Sequence, residues 1–463
     1  MDYHWKDRIH EHDFIIDGVL THPFESIHIG NGDIGGSVFI YPHEIKFMLA
    51  KSDIWDARRD ADPTKGLMTQ DDLIDFISKS NRDYRPIWGE KNPPFEISTY
   101  NGNTGHIRGA APRRACTVRM YHPGLSNTKV KTRVRLADGV VECIFHFAEG
   151  ELIVRAFIEK ENSRFWLETE SRGIAPWFSL IVEKEPEETI SDIPNPVSEK
   201  LDEHLALLTQ TIPEGFDIDE FNWYVAAKFP DGYKGRFGGH VEQFAWKFRQ
   251  FYYLESGRKA VLCVGIATDR DELVDGVRKA NHKSNNAKSR ALSLVGDEKN
   301  FNSILTEHQR SWERFWDASN IAIEDKEMES LWYRNHFGYG CAMRRDMTPL
   351  GSAGNVVVND YIPWNGDIHT NHNFQKWYCT AFPTNHPEWI DVYADFVNDK
   401  TPVFEDQAKL IFGLEGVFVD LAYYPIMARG RSVICNYFGR SLAHAGWFCQ
   451  PLWWHWEYMK DEE

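Results

Sequence analysis

The densest group of polar and aromatic side chains in the 463-residue sequence lies in residues 361–375, YIPWNGDIHTNHNFQ. Sugars need hydrogen-bond donors and acceptors for their hydroxyls and a flat apolar surface for their rings. This segment offers both in a short stretch of chain: Trp364, Asn365, Asp367, His369, Thr370, Asn371, His372, Asn373 and Gln375. It therefore predicts a carbohydrate-binding site.

The same residues allow two other interpretations. A helix could begin here, with Asp367 or Thr370 as its cap. Six amide and imidazole groups in eleven residues exceed what a cap needs. His369 and His372, three residues apart, could bind a metal ion, but no third ligand follows at a recognisable spacing and no HExxH motif occurs. We therefore favour a sugar site and expect neither a metal nor another cofactor.

A glycine-rich stretch, residues 30–36 (GNGDIGG), resembles a phosphate-binding loop in composition. No Lys-Ser or Lys-Thr pair follows it, and the residues beyond it alternate as a strand does, so we expect a tight turn between strands. A Gly-x-Ser-x-Gly motif is absent, which leaves a serine nucleophile without support. The histidines near the N-terminus, His4, His10 and His12, are expected in a solvated arm.

Charge and hydropathy restrict the partners. The sequence has 52 basic and 69 acidic residues, a net charge of −17, which disfavours nucleic acid and anionic membranes. The best apolar run, residues 260–267, is far shorter than the roughly 20 residues that a bilayer helix needs. The N-terminus lacks an apolar h-region, so no export signal is expected. No feature of the sequence indicates an oligomeric state.

The seven cysteines are scattered and include no CxxC pair, which predicts buried thiols rather than a zinc site or a disulfide framework. Aromatic residues make up 14% of the chain, which suits both sugar stacking and the packing of large cores.

The elements that must position the polar segment fall into two classes. Up to about residue 290, short runs alternate with period two between turn residues, which predicts a large antiparallel sandwich. The clearest example is residues 130–160, three strands broken by turns at residues 137–139 and 149–150. Residues 183–196 are rich in Glu and Pro and predict an exposed loop.

Beyond residues 283–286 the apolar period becomes helical. Residues 297–318 predict an amphipathic helix where an interdomain linker would lie. Further helices are predicted at residues 327–345, 388–398, 419–427 and 442–460. The predicted fold is a β + α multidomain chain, with a β-domain over residues 1–290, a helical linker over 291–325 and a helical domain over 326–463. Because the last predicted helix has no C-cap, we expect the sequence to be the N-terminal portion of a longer chain.

Three segments resemble glycoside hydrolase family 95. Residues 27–58 resemble the opening of its N-terminal domain, with an IGNG strand and an acidic turn at Asp53-Ile54-Trp55. Residues 363–378, PWNGDIHTNHNFQKWY, resemble its Asn-x-Asn loop, and residues 445–463 resemble a helix downstream. The resemblance is nearest to a bacterial branch rather than to the typical α-L-fucosidases. Trp454 stands where those enzymes usually have Glu, which argues against fucose as the sugar.

The resemblance implies a fold and a mechanism. The fold is a β-supersandwich, a helical linker and an (α/α)6 toroid of the six-hairpin glycosidase type, of which residues 326–463 form the first part. The mechanism is inverting hydrolysis of a glycan, in which a Glu protonates the leaving oxygen and an Asp activates water. Carried over to this sequence, Asn371 and Asn373 position that water, and the acid and base lie beyond Glu463. The residues expected to line the sugar pocket are Trp364, Asp367, His369 and Gln375.

Two alternatives stay open. One is a carbohydrate-binding protein without catalytic activity, or an inactive fragment. The other is a phosphorylase similar to glycoside hydrolase family 65, which has the same architecture and uses phosphate in place of water. The polar loop offers only Thr370 and two histidines before Lys376 to hold phosphate, so we rank this alternative lower.

Overall fold

Strands form the first part of the chain in the computed structural model of the protein. The model describes residues 5–58, 69–79, 110–174, 177–185, 193–215, 218–229, 236–237, 247–253, 257–271, 273–274, 277–278, 283–296, 300–358, 362–426 and 443–460. The strands are β1 Phe14–Asp17, β2 Ile27–Gly30, β3 Ile34–Tyr41, β4 Glu44–Asp56, β5 Ala111–Tyr121, β6 Lys129–Arg135, β7 Val140–Phe147, β8 Gly150–Ile158, β9 Arg164–Arg172, β10 Trp177–Glu183, β11 Val197–Lys200, β12 Leu205–Ile212, β13 Phe221–Lys228, β14 Arg236–Phe237, β15 Lys247–Tyr253, β16 Lys259–Thr268, β17 Leu273–Val274 and β18 Val277–Arg278.

Two antiparallel sheets face each other. One has nine described strands in the order β1-β6-β7-β8-β9-β16-β13-β12-β11, and the other has seven in the order β14-β15-β10-β5-β4-β3-β2. Side chains from both sheets share one core, in which the ring centroids of Phe47 on β4 and Phe165 on β9 lie 5.0 Å apart. The predicted antiparallel sandwich is confirmed.

The predicted hairpins lie where the turn residues place them. Strands β6, β7 and β8 pair in sequence, with Val134 opposite Val141 and Phe147 opposite Gly150. Gly139 has a φ of 63°, which a glycine adopts without strain, and it closes the first of these turns. The loop predicted at residues 183–196 lies partly outside the described residues.

Strand β16 carries the best apolar run because it is buried on both faces. Alternate residues such as Leu262 and Val264 point into the sandwich core. The residues between them, such as Val261 and Cys263, form a second core with Ala291 of the helix α3, Ala287–Gly296. A strand that is covered on both faces reads as a continuous apolar run rather than as an alternation.

Helices form most of the regular structure after residue 283. Besides α1 (Trp5–His10), α2 (Gln70–Lys79) and α3, they are α4 Phe301–Ala318, α5 Lys326–Ala342, α6 Asn373–Tyr378, α7 Glu388–Phe412, α8 His444–Phe448 and α9 Gln450–Met459. Two further strands, β19 Ile368–His369 and β20 Ala422–Tyr423, form a short ladder among them. Among the described helices, none combines the length and apolar character needed to cross a bilayer.

Helix α4, predicted as residues 297–318, contacts both regions. Its N-terminal residue Phe301 packs in the second core, against the nine-stranded sheet. Nearer its C-terminal end, Trp316 donates its indole N–H to the Leu136 carbonyl at 3.1 Å. The ring of Phe315 stacks 4.7 Å from that of His336 on α5. The domain boundaries at residues 290 and 325 stay predictions.

Two predicted helices differ from the structure. Helix α7 continues through Pro402 to Phe412, beyond the predicted end at residue 398. Buried side chains on both sides of the proline, among them Phe396 and Phe404, hold the helix together despite the missing hydrogen bond. The helix predicted at residues 419–427 is wrong over the described residues 419–426, where the chain includes β20 and no helix.

The glycine-rich stretch is a turn between strands, as predicted, and it also contacts the helical region. Gly35 on β3 approaches residue 355 so closely that an added Cβ would lie 1.9 Å from the Asn355 carbonyl oxygen. The N–H of Gly32 donates to the Cys341 carbonyl at the end of α5 at 2.8 Å. The residues that resemble a phosphate-binding loop therefore form a contact between the sandwich and the helical region.

The prediction of a solvated N-terminal arm is wrong for His12, which is 4% exposed. Its Nε2 lies 3.0 Å from the carboxylate of Glu329, and its ring stacks 4.9 Å from that of Tyr333. His10 is half-buried, and His4 lies outside the described residues. Of the cysteines, Cys116, Cys143, Cys263 and Cys341 are buried as expected, Cys379 is half-buried, Cys449 is exposed, and Cys435 lies outside the described residues.

Candidate functional site

The polar segment is fixed by a ladder that joins it to distant residues. Ile368 and His369 of β19 pair with Tyr423 and Ala422 of β20. Thr370 then extends the contact, because its N–H donates to the Leu421 carbonyl at 2.8 Å and its hydroxyl donates to the Asp420 carbonyl. The turn that follows leads directly into α6. The segment is therefore held in a defined conformation up to Thr370.

Asp367 and His369 are brought together at the buried start of the segment. Each is 6% exposed, and the carboxylate Oδ1 of Asp367 lies 3.3 Å from Nδ1 of His369. Ser352 donates its main-chain N–H to the Asp367 carbonyl at 2.6 Å, and its hydroxyl lies 3.0 Å from the same oxygen. These two predicted sugar-binding residues thus form one hydrogen-bonded unit.

The two predicted water-positioning amides lie beside each other at the start of α6. Asn371 is exposed, and Asn373, the first residue of α6, is half-buried. Helix α6 is preceded by His372, which makes no side-chain capping bond, so neither Asp367 nor Thr370 acts as the cap. A helix does begin within the segment, as that alternative expected, but the expected cap residues are wrong.

Gln375 is buried and forms a hydrogen bond within the polar segment. It is 2% exposed, and its side-chain amide donates to the Thr370 carbonyl. Its Oε1 is buried and accepts no hydrogen bond within the part of the chain that the structure describes. Gln375 therefore braces the turn that presents Asn371, with one acceptor still available. The side chain of Trp364 lies outside the description.

Helix α8 contributes two residues that sequence reasoning did not assign to the site. The ring of Trp447, which is 41% exposed, lies 5.8 Å from the exposed imidazole of His372. His444 is 5% exposed and forms a hydrogen bond with the main chain of Thr370. Burial lowers the pKa of His444, so its imidazole is neutral at neutral pH. No local pattern could have found them, since they are distant in sequence from the polar segment.

A possible metal position lies elsewhere. Among the described residues, one trio of carboxylates converges within 4.8 Å: Asp33, Asp53 and Asp271. The ammonium group of Lys51 lies 2.9 Å from Asp33 and 3.3 Å from Asp53, and it also pairs with Asp271. Because the lysine already supplies the balancing cation, we interpret this group as a buried ion-pair network rather than a metal centre.

Part of the chain is similar to a known family of enzymes. Residues 285–463 match the model of the glycosyl hydrolase family 95 catalytic domain, and this range includes the polar segment and α8. A search of curated protein sequences finds no match to the chain.

A solved structure shares the overall fold. A candidate kojibiose phosphorylase from the human microbiome superposes with a TM-score of 0.61 at 12% identity, over 97% of this chain and 56% of its own. This chain thus spans little more than half the length of that protein. A bacterial glucoamylase complexed with acarbose is a more distant match, with a TM-score of 0.40 at 6% identity over 89% of this chain and 55% of its own.

The resemblance to glycoside hydrolase family 95 that the sequence shows is thereby confirmed within the residues that the family model matches. The similarity to the glycosyl hydrolase family 95 catalytic domain extends over residues 285–463 of this chain.

Proposed function

We propose that the protein is a glycan-acting enzyme, a glycosidase, whose sugar-binding surface is formed by the polar segment and α8. One observation carries the proposal: within the family-95 range, the exposed Asn371 and Trp447 flank His372, beside the buried pair of Asp367 and His369. A sugar needs this combination of amides, charged groups and an exposed aromatic face.

We further propose an inverting mechanism. An amide is not a base, but its carbonyl oxygen can hold a water molecule in line with an anomeric carbon. In inverting enzymes, two carboxyl groups stand far enough apart to leave room for that water. Asn371 and Asn373 take the water-positioning role. The helical region is, in this proposal, the first part of an (α/α)6 toroid.

Trp447 supplies the flat surface in this proposal, together with Trp364. A pyranose ring that stacks on an indole face buries its C–H groups there, while its hydroxyls turn towards the amides. The half-exposed ring of Trp447 provides such a face beside the loop.

Titration of the protein with a panel of neutral monosaccharides, with heat detection, tests the proposal. Saturable binding of one sugar by the unaltered chain, weakened at least tenfold in Trp447→Ala, is expected. The exposed Trp453 of α9 supplies a matched control, because Trp453→Ala removes an indole that is even more exposed than that of Trp447 from the same part of the chain. Absence of binding across the panel would contradict the proposed sugar site.

A phosphorylase is a second candidate, favoured by the superposition on the candidate kojibiose phosphorylase along nearly all of this chain. Incubation with disaccharides and phosphate separates the two activities. Release of a sugar phosphate that depends on added phosphate would favour phosphorolysis over hydrolysis. Sugar binding with neither reaction would fit a carbohydrate-binding protein or an incomplete enzyme.

A further inference from the structure

A short segment next to the sandwich, residues 351–355, holds the polar segment from behind; we call it the strap. The strap turns back on itself through a bridge between Gly351 and Gly354. Gly351 touches the polar segment so closely that an added Cβ would lie 1.8 Å from the Gly366 carbonyl oxygen. The strap is therefore in direct contact with the residue that precedes Asp367.

The far end of the strap is fixed to the rigid part of the molecule. Asn355 is 4% exposed, and its side-chain amide donates to the Cys341 carbonyl at 3.0 Å. Its Oδ1 lies 3.0 Å from Nε2 of His28, on β2. Because Asn355 is bonded both to α5 and to the seven-stranded sheet, the strap has little freedom to move away from the polar segment.

Ser352 contacts both the main-chain carbonyl and the side-chain carboxylate of Asp367. The main-chain N–H and the hydroxyl of Ser352 both reach the Asp367 carbonyl oxygen, at 2.6 Å and 3.0 Å. The same hydroxyl lies 3.4 Å from Oδ1, the carboxylate oxygen that faces Nδ1 of His369. A carboxylate so placed holds the proton of an imidazole on Nδ1 and fixes the orientation of the ring.

We propose that Ser352 is a positioning residue for the sugar site: it holds Asp367 so that His369 keeps one tautomer and one orientation. The role in sugar recognition rests on the proposed function, since His369 is a proposed sugar-binding residue. The role in fixing the imidazole does not, and the two can be measured separately.

Nitrogen-15 NMR of the histidine side chains measures the first role in the full chain without any ligand. The signals of His369 are identified by their loss in His369→Gln. In the unaltered protein we expect separate Nδ1–H and Nε2 resonances. In Ser352→Ala we expect these two shifts to move towards each other as the tautomers mix. Ser352→Thr, which retains a hydroxyl, should restore the separation. Unchanged His369 shifts in Ser352→Ala would overturn the proposal.

Sugar affinity measures the second role. Loss of one hydroxyl contact to a binding residue should weaken affinity about 3- to 10-fold in Ser352→Ala. Ser311→Ala on α4 is the control, because it too removes a hydroxyl that is bonded to a main-chain carbonyl. Equal affinity losses in both variants, in step with equal losses in melting temperature, would reveal a merely structural role and overturn the proposal.

The two readouts separate this proposal from the proposed function. If no sugar binds the unaltered protein but the His369 tautomer still depends on Ser352, the positioning role stands and the sugar site falls. If sugar binds and neither readout responds to Ser352→Ala, the sugar site stands and the positioning role falls.

Discussion

At the scale of the residue, the site depends on which polar groups are exposed and which are buried. Asp367, His369 and Gln375 are buried and braced, whereas Asn371 reaches the surface. Buried groups with fixed partners can orient a ligand, and an exposed amide can meet a water or a hydroxyl from solvent. This division matches the separate roles proposed for the two sets.

The first prediction concerns Asn371 in an active enzyme. Because the proposed contact is to the attacking water, Asn371→Ala should reduce kcat by about 100-fold or more and change KM little. Steady-state kinetics on a cleavable glycoside measures both constants. Asn398, an exposed amide on α7, provides the control variant Asn398→Ala. An unchanged kcat in Asn371→Ala would remove Asn371 from the mechanism.

At the scale of the element, strand β4 carries a buried charge that its neighbours must balance. Lys51 is 2% exposed and is bonded to three carboxylates from different parts of the sandwich. Removal of one member of a buried ion-pair group leaves the others without compensation. We expect Lys51→Met to lower the free energy of unfolding by about 3–5 kcal/mol.

Chemical denaturation at neutral pH measures this loss. Lys259→Met on β16 is the control, since that lysine also pairs with carboxylates but has a partly exposed side chain. It should cost about 1 kcal/mol or less. Equal costs for the two variants would argue against a network that depends on Lys51.

A second prediction at this scale concerns His308 on α4. Its Nδ1 accepts the main-chain N–H of Lys160 at 3.1 Å, and burial lowers its pKa to about 3. The unfolded chain, with a histidine pKa near 6.5, therefore binds more protons than the folded chain between about pH 6.5 and 3. The stability that His308 contributes is fully present above this window. Inside the window the free energy of unfolding decreases as the pH is lowered, by up to about 1.4 kcal/mol per pH unit.

His308→Asn should retain an acceptor for Lys160 and flatten this dependence. Unfolding free energies at pH 7.0, 6.0 and 5.0 provide the measurement, in the variant and in the unaltered protein. His146→Asn on β7 is the control, because its imidazole is exposed. A slope that stays the same in His308→Asn would show that this histidine does not cause the acid sensitivity.

At the scale of the whole molecule, the sandwich and the helical region meet where glycines allow the two backbones to touch. An added Cβ on Gly35 would overlap the Asn355 carbonyl. We expect Gly35→Ala to lower the free energy of unfolding by about 1–3 kcal/mol or more, since neither backbone can give way. Because Asn355 also ends the strap, His369 should lose its fixed orientation in the same variant.

Denaturant titration and the NMR measurement of His369 check both parts of this prediction. Gly338→Ala on α5 is the matched control, because an added Cβ there meets nothing within 4 Å. Alanine in the interior of a helix should raise stability there by about 0.5–1 kcal/mol. A Gly35→Ala protein as stable as Gly338→Ala would rule out tight docking at this position.

The sequence by itself determined the features that depend on neighbours along the chain. Alternation over residues 130–160 predicted three strands and both turns, and the spacing of apolar residues predicted α4 and α5, because residues a few positions apart share a face. The composition of residues 361–375 singled out the polar segment. Residues 363–378, which overlap this segment, also carried part of the resemblance, and the family-95 match confirms that resemblance over residues 285–463.

Only the tertiary structure decided the features that depend on distant partners. Residues 419–426 pass for a helix in isolation, yet residues 422–423 pair with β19 because the main chain near His369 offers hydrogen bonds there. His444, Trp447 and Ser352 reach the polar segment from other parts of the chain. Local periodicity reports which face of an element is apolar, but it carries no information about which distant element covers that face. For this reason the sequence singled out the polar segment, and the fold decided which distant residues hold it in place.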